Sequence, residues 1–328
     1  MSPCATLREL SAFSHFSDQH LELLGSCTSS SSLPAGGQIF SEGDGSFAIH
    51  GVAHGRLRVQ RTTTYGPLVL SHHAAGALVG DCEFIDRKAR FGDAVAQSEL
   101  EVITLDPALL DSLADRDRAF DLALSWALWK SLSAQLRQAN ARLSTFFGET
   151  GPLPKEEHDV EDGPPRDRFR VEMGAKRSLF QEQKLTNMEI NFLASLSREE
   201  RFGPGELIFR EGDDGDRMYV VLDGEVMISK FIPGAGEEAL AFLGRGTYFG
   251  EMALIDRLPR SAEATAHTAD TIVLALPREV VEGILDINKV SSIRLLKLLC
   301  SLVAQRLRES DEKLLGWHLL AGGKRTQN

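Results

Sequence analysis

The sequence predicts an α+β chain: two tandem β-rolls (jelly-roll barrels), each preceded by a short helix and followed by a long one. Three observations carry this. The chain repeats itself at a nearly constant offset. Short β-prone runs alternate with turn signals through both copies. A long run with helical periodicity closes each copy.

The repeat comes first because it fixes the domain count. Glu42 and Glu211, Gly55 and Gly224, and Ser17 and Thr186 are each 169 residues apart. Gly80 and Gly250, Arg90 and Arg260, and Pro107 and Pro277 are each 170 apart. One unit of about 150 residues therefore occurs twice, with a single one-residue slip, in a chain long enough for about two domains. The expected division is 1–147 for the first copy, 148–178 for a linker and 179–328 for the second copy. The linker text contains Gly151-Pro-Leu-Pro154, an acidic run from Glu156 to Asp159, and Gly163-Pro-Pro165, a composition that rarely packs.

Within the second copy, Thr186 and Glu189 form a T-x-x-E capping box ahead of Ile190, Phe192 and Leu193, the signature of a helix start. Strand-like runs follow at 206–209, 217–222, 225–231 and 239–243, and Asp223-Gly224 marks a hairpin turn. A further strand-rich stretch covers 261–275. Evenly spaced short strands of this kind suit a jelly roll. Pro277 stands where a helix starts. A long amphipathic helix is expected over about 291–315, with Ile293, Leu296, Leu299, Cys300, Val303 and Leu307 at helical spacing. Its counterpart in the first copy covers about 119–147. The two long helices are expected to pack on each other in coiled-coil fashion, making a pseudo-dimer within one molecule.

Composition narrows the function classes. Charged residues make up 25% and hydrophobic residues 42%, as in ordinary globular domains. A net charge of −11 argues against broad attraction to nucleic acid or anionic lipid. No run approaches the length of a membrane span, and the first ten residues do not read as a signal peptide, so a cytoplasmic location is expected. Four scattered cysteines form no CxxC pair, which predicts reduced, buried thiols rather than a disulfide or zinc framework. The histidines give no cupin-like metal set: the second barrel offers only His267, and His72-His73 is a lone pair. No nucleophile–base constellation stands out, so neither an enzyme nor a metal or other cofactor is expected.

The segment from Phe249 to Glu263 is chemically the most informative. Gly250 permits close approach of a ligand to the backbone. Residues 251–255 fit one helical turn whose leading N–H groups attract an anion. Arg260 follows nine residues after Glu251 and can grip a phosphate with two parallel hydrogen bonds. Glu251 can accept from a sugar hydroxyl. Together these match one phosphate beside one ribose.

The segment resembles the phosphate-binding cassette of the cyclic-nucleotide-binding family, of catabolite activator protein and protein kinase A regulatory-subunit type. Phe249, Gly250, Glu251, Ala253, Leu254, Arg260, Ser261 and Ala262 match the family's F-G-E-x-A-L … R-S/T/A-A pattern. Upstream, Gly205, Glu206, Ile208, Phe209, Gly212 and Asp213 match G-E-x-I-F-x-x-G-D, and Tyr219 to Gly224 match a family strand and turn. The resemblance implies that Arg260 holds a cyclic phosphate. It gives the N–H groups of Met252, Ala253 and Ala262 the other phosphate oxygens, and Glu251 the ribose 2′-hydroxyl. Ser261 leans toward cAMP, with cGMP the other candidate ligand. On the same resemblance Ser310 and Asp311 fall where a base is contacted.

The first copy departs from the pattern. Gly80 and Arg90 remain, but Glu becomes Asp81, too short for the ribose, and Ser becomes Phe91, a large ring in a crowded loop. This degenerate equivalent is expected to bind weakly, to bind something else or to serve as structure. The resulting expectation is a non-catalytic cyclic nucleotide sensor that acts on an unidentified protein effector. DNA binding is not expected, because only fifteen residues follow Lys313. The competing reading is an interaction scaffold whose two barrels bind little or no nucleotide.

Overall fold

A computed structural model describes residues 7–146, 170–284 and 293–323, apart from 9, 15, 27, 184 and 233–235. The chain divides into two compact units, one of Met1–Ala139 with Leu296–Asn328 and the other of Asn140–Leu295.

In the first unit, helix α1 (Asp18–Ser26) precedes eight strands: β1 (Thr28–Leu33), β2 (Gln38–Phe40), β3 (Ile49–His54), β4 (Arg56–Thr63), β5 (Gly66–Ala74), β6 (Leu78–Val79), β7 (Asp93–Ala96) and β8 (Leu100–Leu105). The short helix α2 (Asp81–Asp86) interrupts them, and α3 (Pro107–Arg116) and the long α4 (Arg118–Thr145) follow. Pro107 opens α3 at the first helical position, and the Asp106 side chain caps it by accepting from Leu109 N. The second unit repeats the plan. Helices α5 (Met173–Glu182) and α6 (Asn187–Leu196) precede β9 (Arg198–Phe202), β10 (Leu207–Phe209), β11 (Arg217–Asp223), β12 (Val226–Ile232), β13 (Gly236–Leu243) and β14 (Tyr248–Phe249). Then come α7 (Met252–Asp256), β15 (Glu263–Ala266), β16 (Thr271–Pro277) and α8 (Arg278–Ile284). A final long helix, α9, spans Ile293–Leu320.

Each unit holds two four-stranded antiparallel sheets. Their orders are β1-β8-β3-β6 and β2-β7-β4-β5 in the first, and β9-β16-β11-β14 and β10-β15-β12-β13 in the second. The ladders do not close into a continuous barrel, but the order is the same in both copies. So are the irregularities. Register shifts fall between Gln38 and Phe40, Val52 and His54, and Val59 and Gln60, and again between Leu207 and Phe209, Val221 and Asp223, and Ile228 and Ser229. Bulges bend a strand at a chosen place, so their recurrence at the 169-residue offset shows that the curvature is duplicated. The slip to 170 lies in one hairpin: Thr63 pairs with Gly66, whereas Ile232 pairs with Gly236. Inward-facing residues of the two sheets make each core, for example Val52, Leu57, Leu100 and Val102 in the first and Val221, Val226, Phe249 and Val273 in the second.

Three expectations need correction. The linker expected over 148–178 lies outside the described residues except for its end. There residues 173–178 begin α5, which buries Lys176, Leu179 and Phe180. Lys176 pairs with Glu199 at 2.8 Å and donates to Ser197 O, so basic text here is packed helix. The C-terminal helix was assigned to the second copy, yet from Leu296 onward it belongs to the first unit. Its Leu296, Leu299, Cys300, Val303 and Ala304 are buried there. Within that unit it meets α4: Cys300 Sγ donates to Ser125 O at 3.4 Å, and Lys297 pairs with Asp121 at 2.8 Å. Third, Ser310 and Asp311, expected as base contacts of the second cassette, belong to the first unit. Ser310 is buried, and Asp311 lines a cavity of the first unit.

Candidate functional site

In the second unit, the cassette runs from β14 through α7 to β15. Gly250 has φ +74°, a left-handed backbone that suits glycine, and a Cβ there would lie 2.6 Å from Arg260 Nη1. The absence of a side chain lets the guanidinium press against the backbone. Glu251 and Arg260 are only 2% and 5% exposed. Met252, Ala253, Leu254 and Ala262 are buried around them, and Ser261 places Oγ 3.8 Å from Met252 Sδ.

Arg260 is held from three sides. Its backbone N–H donates to Asp213 O and its carbonyl accepts from Gly212 N, so the G-D pair after β10 clamps it. Its Nη1 donates to Gly250 O at 2.6 Å and its Nη2 to Arg217 O at 2.7 Å. Its guanidinium carbon lies 4.3 Å above the Phe209 ring, a cation–π contact. Phe209, Tyr219 and Phe249 form a stack beneath it, with centroids 5.1–6.0 Å apart. Gly215 completes the fit: a Cβ there would meet Ala253 Cβ at 2.2 Å and Arg260 Cζ at 3.2 Å.

The charge balance is the decisive property. Among the described residues Arg260 forms no ion pair, and its Nε has no hydrogen-bond partner. Burial lowers its pKa, opposed by the more distant Tyr219, Asp216 and Glu251. A buried cation without a paired anion is costly, so this geometry favours a ligand that brings negative charge.

The first unit repeats the framework. Arg90 Nη2 donates to Ala48 O at 2.5 Å, its Cζ lies 4.1 Å above Phe40, and Gly43 N and Asp44 O clamp its backbone. Gly80 has φ +86°, with its would-be Cβ 2.3 Å from Arg90 Nη1. Here the guanidinium is paired: Nη1 donates to Glu83 Oε2 at 3.1 Å. Asp81, fully buried, accepts from Gln135 of α4 at 2.8 and 2.9 Å. Burial pushes its pKa up to about 6, against the hydrogen bonds that favour its charge. Phe91 lies between two guanidinium groups, 4.9 Å from Arg61 and 5.8 Å from Arg308.

A model of the cyclic nucleotide-binding domain matches residues 31–117 and again 199–288, together more than half of the chain. The chain belongs to the cyclic nucleotide-binding domain family. It carries two such domains in tandem, and both cassettes lie inside the matched residues. A "Cyclic AMP receptor protein" of Thermus thermophilus is 38% identical over 130 residues, covering 38% of this chain and 56% of that protein. A "CRP-like cAMP-activated global transcriptional regulator" of Mycobacterium tuberculosis is 29% identical over 146 residues, covering 44% and 61%. The chain thus spans little more than half the length of these curated relatives. Among solved structures, the regulatory domain of Toxoplasma gondii PKA with cAMP is 19% identical, with coverage of 90% and 93% and a TM-score of 0.33.

The structure brings Gly250, Glu251, Met252, Ala253, Arg260, Ser261 and Ala262 together as one cassette, and Gly80, Asp81, Arg90 and Phe91 as its counterpart. Sequence reasoning missed Glu83, Gln135 and Arg308 around the first cassette. Glu83 had a signal: the 170-residue offset aligns it with Ala253, a methyl side chain in the other copy. Among the described residues no cluster of three or more His, Cys, Asp or Glu side chains could hold a metal ion, and no helix is long and apolar enough to cross a membrane.

Proposed function

We propose that the second cyclic nucleotide-binding domain is the ligand-sensing half of a non-catalytic regulatory protein, and that its ligand is cAMP. One observation carries the reading: Arg260 is buried, oriented by carbonyls and an aromatic face, and lacks a paired carboxylate among the described residues. A 3′,5′-cyclic phosphate supplies the missing anion. Its exocyclic oxygens take hydrogen bonds from Arg260 and from the N–H groups of Met252, Ala253 and Ala262. The ribose 2′-hydroxyl donates to Glu251. Ser261, too short to add a strong contact to a guanine, leaves the selection toward adenine, in line with the cAMP named for the Thermus and Mycobacterium relatives. The chain calls for no metal or other cofactor in this role.

Output passes through a protein surface to an effector rather than through nucleic acid, which the net charge of −11 disfavours. Arg278 opens α8 and donates to Gly215 O at 2.5 Å and Ala253 O at 3.2 Å. It therefore ties α8 directly to the cassette. Ligand shifts the position of this helix only by binding its two arrangements with different affinity.

Equilibrium dialysis with labelled cAMP tests the reading. Arg260→Ala removes a charge-assisted, desolvated contact, expected to weaken binding by at least a hundredfold. Unlabelled cAMP should displace the label more effectively than cGMP. Unchanged binding in Arg260→Ala, or no saturable binding by the wild type, would return the chain to the scaffold reading.

A further inference from the structure

We propose that Glu83 is a built-in anion that occupies the phosphate position of the first domain and thereby decides that this domain does not accept a cyclic nucleotide. The inference concerns the other cassette and does not depend on ligand binding at Arg260.

The duplication supplies an internal control. Arg90 and Arg260 share the aromatic ring below, the carbonyl acceptor from the start of the third strand and the backbone clamp by a Gly-Asp pair. They differ in one bond. Nη1 of Arg260 donates to the Gly250 carbonyl, whereas Nη1 of Arg90 donates to the Glu83 carboxylate. Glu83 occupies the place of Ala253 by the repeat offset. Its second oxygen accepts from the N–H of Phe91 at 3.4 Å. One carboxylate thus takes donors from the guanidinium and from the cassette backbone, the two kinds of donor a phosphate would use.

Helix α9 holds the substitute in place. Arg308 lies 3.7 Å from Glu83 Oε1, and its Nε and Nη2 both donate to Asp86. Leu307 and Asp311 from the same helix, with Gln135 from α4, line what space is left. That cavity is about 40 Å³, room for two or three waters at roughly 10–15 Å³ each, against ~300 Å³ or more for a ligand pocket. The carboxylates of Asp81, Glu83 and Asp311 line it, and the one guanidinium in its wall, Arg308, is already paired with Asp86 and Glu83, so a phosphate entering would meet an excess of negative charge. Replacing Glu83 by Ala removes both the steric and the electrostatic occupant, and replacing it by Gln removes the charge alone, each leaving Arg90 and its framework.

The test uses the full chain carrying Arg260→Ala, which silences the second cassette. In that background Glu83→Ala and Glu83→Gln are titrated calorimetrically with cAMP and, separately, with inorganic phosphate while the thermal midpoint is followed. Each added substitution is expected to tighten anion binding at least tenfold over the Arg260→Ala parent. The midpoint should rise saturably with phosphate, and both effects should vanish when Arg90→Ala is added. Glu83→Gln preserves the shape of the side chain and keeps the test open where Glu83→Ala fails to fold. Folded Glu83 variants that bind neither probe better than the parent would overturn the proposal. A failure of the second site alone shows differently, as a wild type that binds cAMP no better than Arg260→Ala.

Discussion

Arg90 and Arg260 show how much a single carboxylate changes a site. The motif made Arg260 legible because its neighbours Gly250, Glu251 and Ala253 follow a recognisable order. Glu83 was not legible as a ligand of Arg90, because an ion pair depends on where two long side chains are aimed. Asp81 was read as a shortened ribose contact, but the structure turns it toward Gln135 instead. It also yields a pH prediction. A carboxyl whose folded pKa is about 6 rather than 3.8 favours the protonated folded state. Its stabilising contribution is complete below about 3.8 and is lost as pH rises through about 6. At roughly 1.4 kcal/mol per pKa unit this amounts to about 3 kcal/mol. His50, lowered to about 4 by burial and then by Arg90, acts in the opposite sense over a similar range. Comparison with Asp81→Asn cancels that term. The stability of wild type relative to Asp81→Asn, from urea unfolding of the first unit, should increase as pH falls from 6.5 to 4. Gly215 gives a second residue-scale prediction. Gly215→Ala adds a methyl carbon 2.2 Å from Ala253 Cβ, so it should weaken cAMP binding at least tenfold in dialysis with little loss of secondary structure by circular dichroism.

At the scale of elements, the strands of the second barrel and helix α6 ahead of them were readable from turn signals and caps. The T-x-x-E box is formed as expected: Glu189 N donates to Thr186 Oγ1, and Glu189 Oε2 accepts from Thr186 N at 2.7 Å. Thr186→Ala should cost about 1 kcal/mol of second-unit stability in denaturant titration. The long helices were found with boundaries within a few residues. The contact of one long helix with the other was expected and is made within the first unit, by Cys300 with Ser125 and Lys297 with Asp121. Which barrel α9 serves was not, because an apolar stripe states that a face is buried and leaves open what covers it. Helix α9 illustrates this: Leu307, Arg308 and Asp311 serve the first barrel although they follow the second in sequence. Arg308→Ala breaks its ion pairs with Asp86 and Glu83. It should speed hydrogen exchange in α2 several-fold while leaving α7 unchanged. The start of helix α5 was missed because the linker argued from the Pro-rich and acidic text of 151–165 was carried on to residue 178, whereas Lys176 is buried and paired with Glu199.

For the whole molecule, duplication followed by divergence is the organising fact. The repeat, the bulges at the same offset and the two family matches describe one architecture used twice. One copy keeps a buried arginine that lacks an ion partner among the described residues, and the other neutralises the equivalent arginine from within. The central claim is therefore a count of ligands per chain. Isothermal titration of cAMP into the wild-type chain measures it most directly. One equivalent bound, abolished by Arg260→Ala and retained by Arg90→Ala, is the predicted result. Two equivalents, or binding that survives Arg260→Ala and is lost in Arg90→Ala, would contradict it.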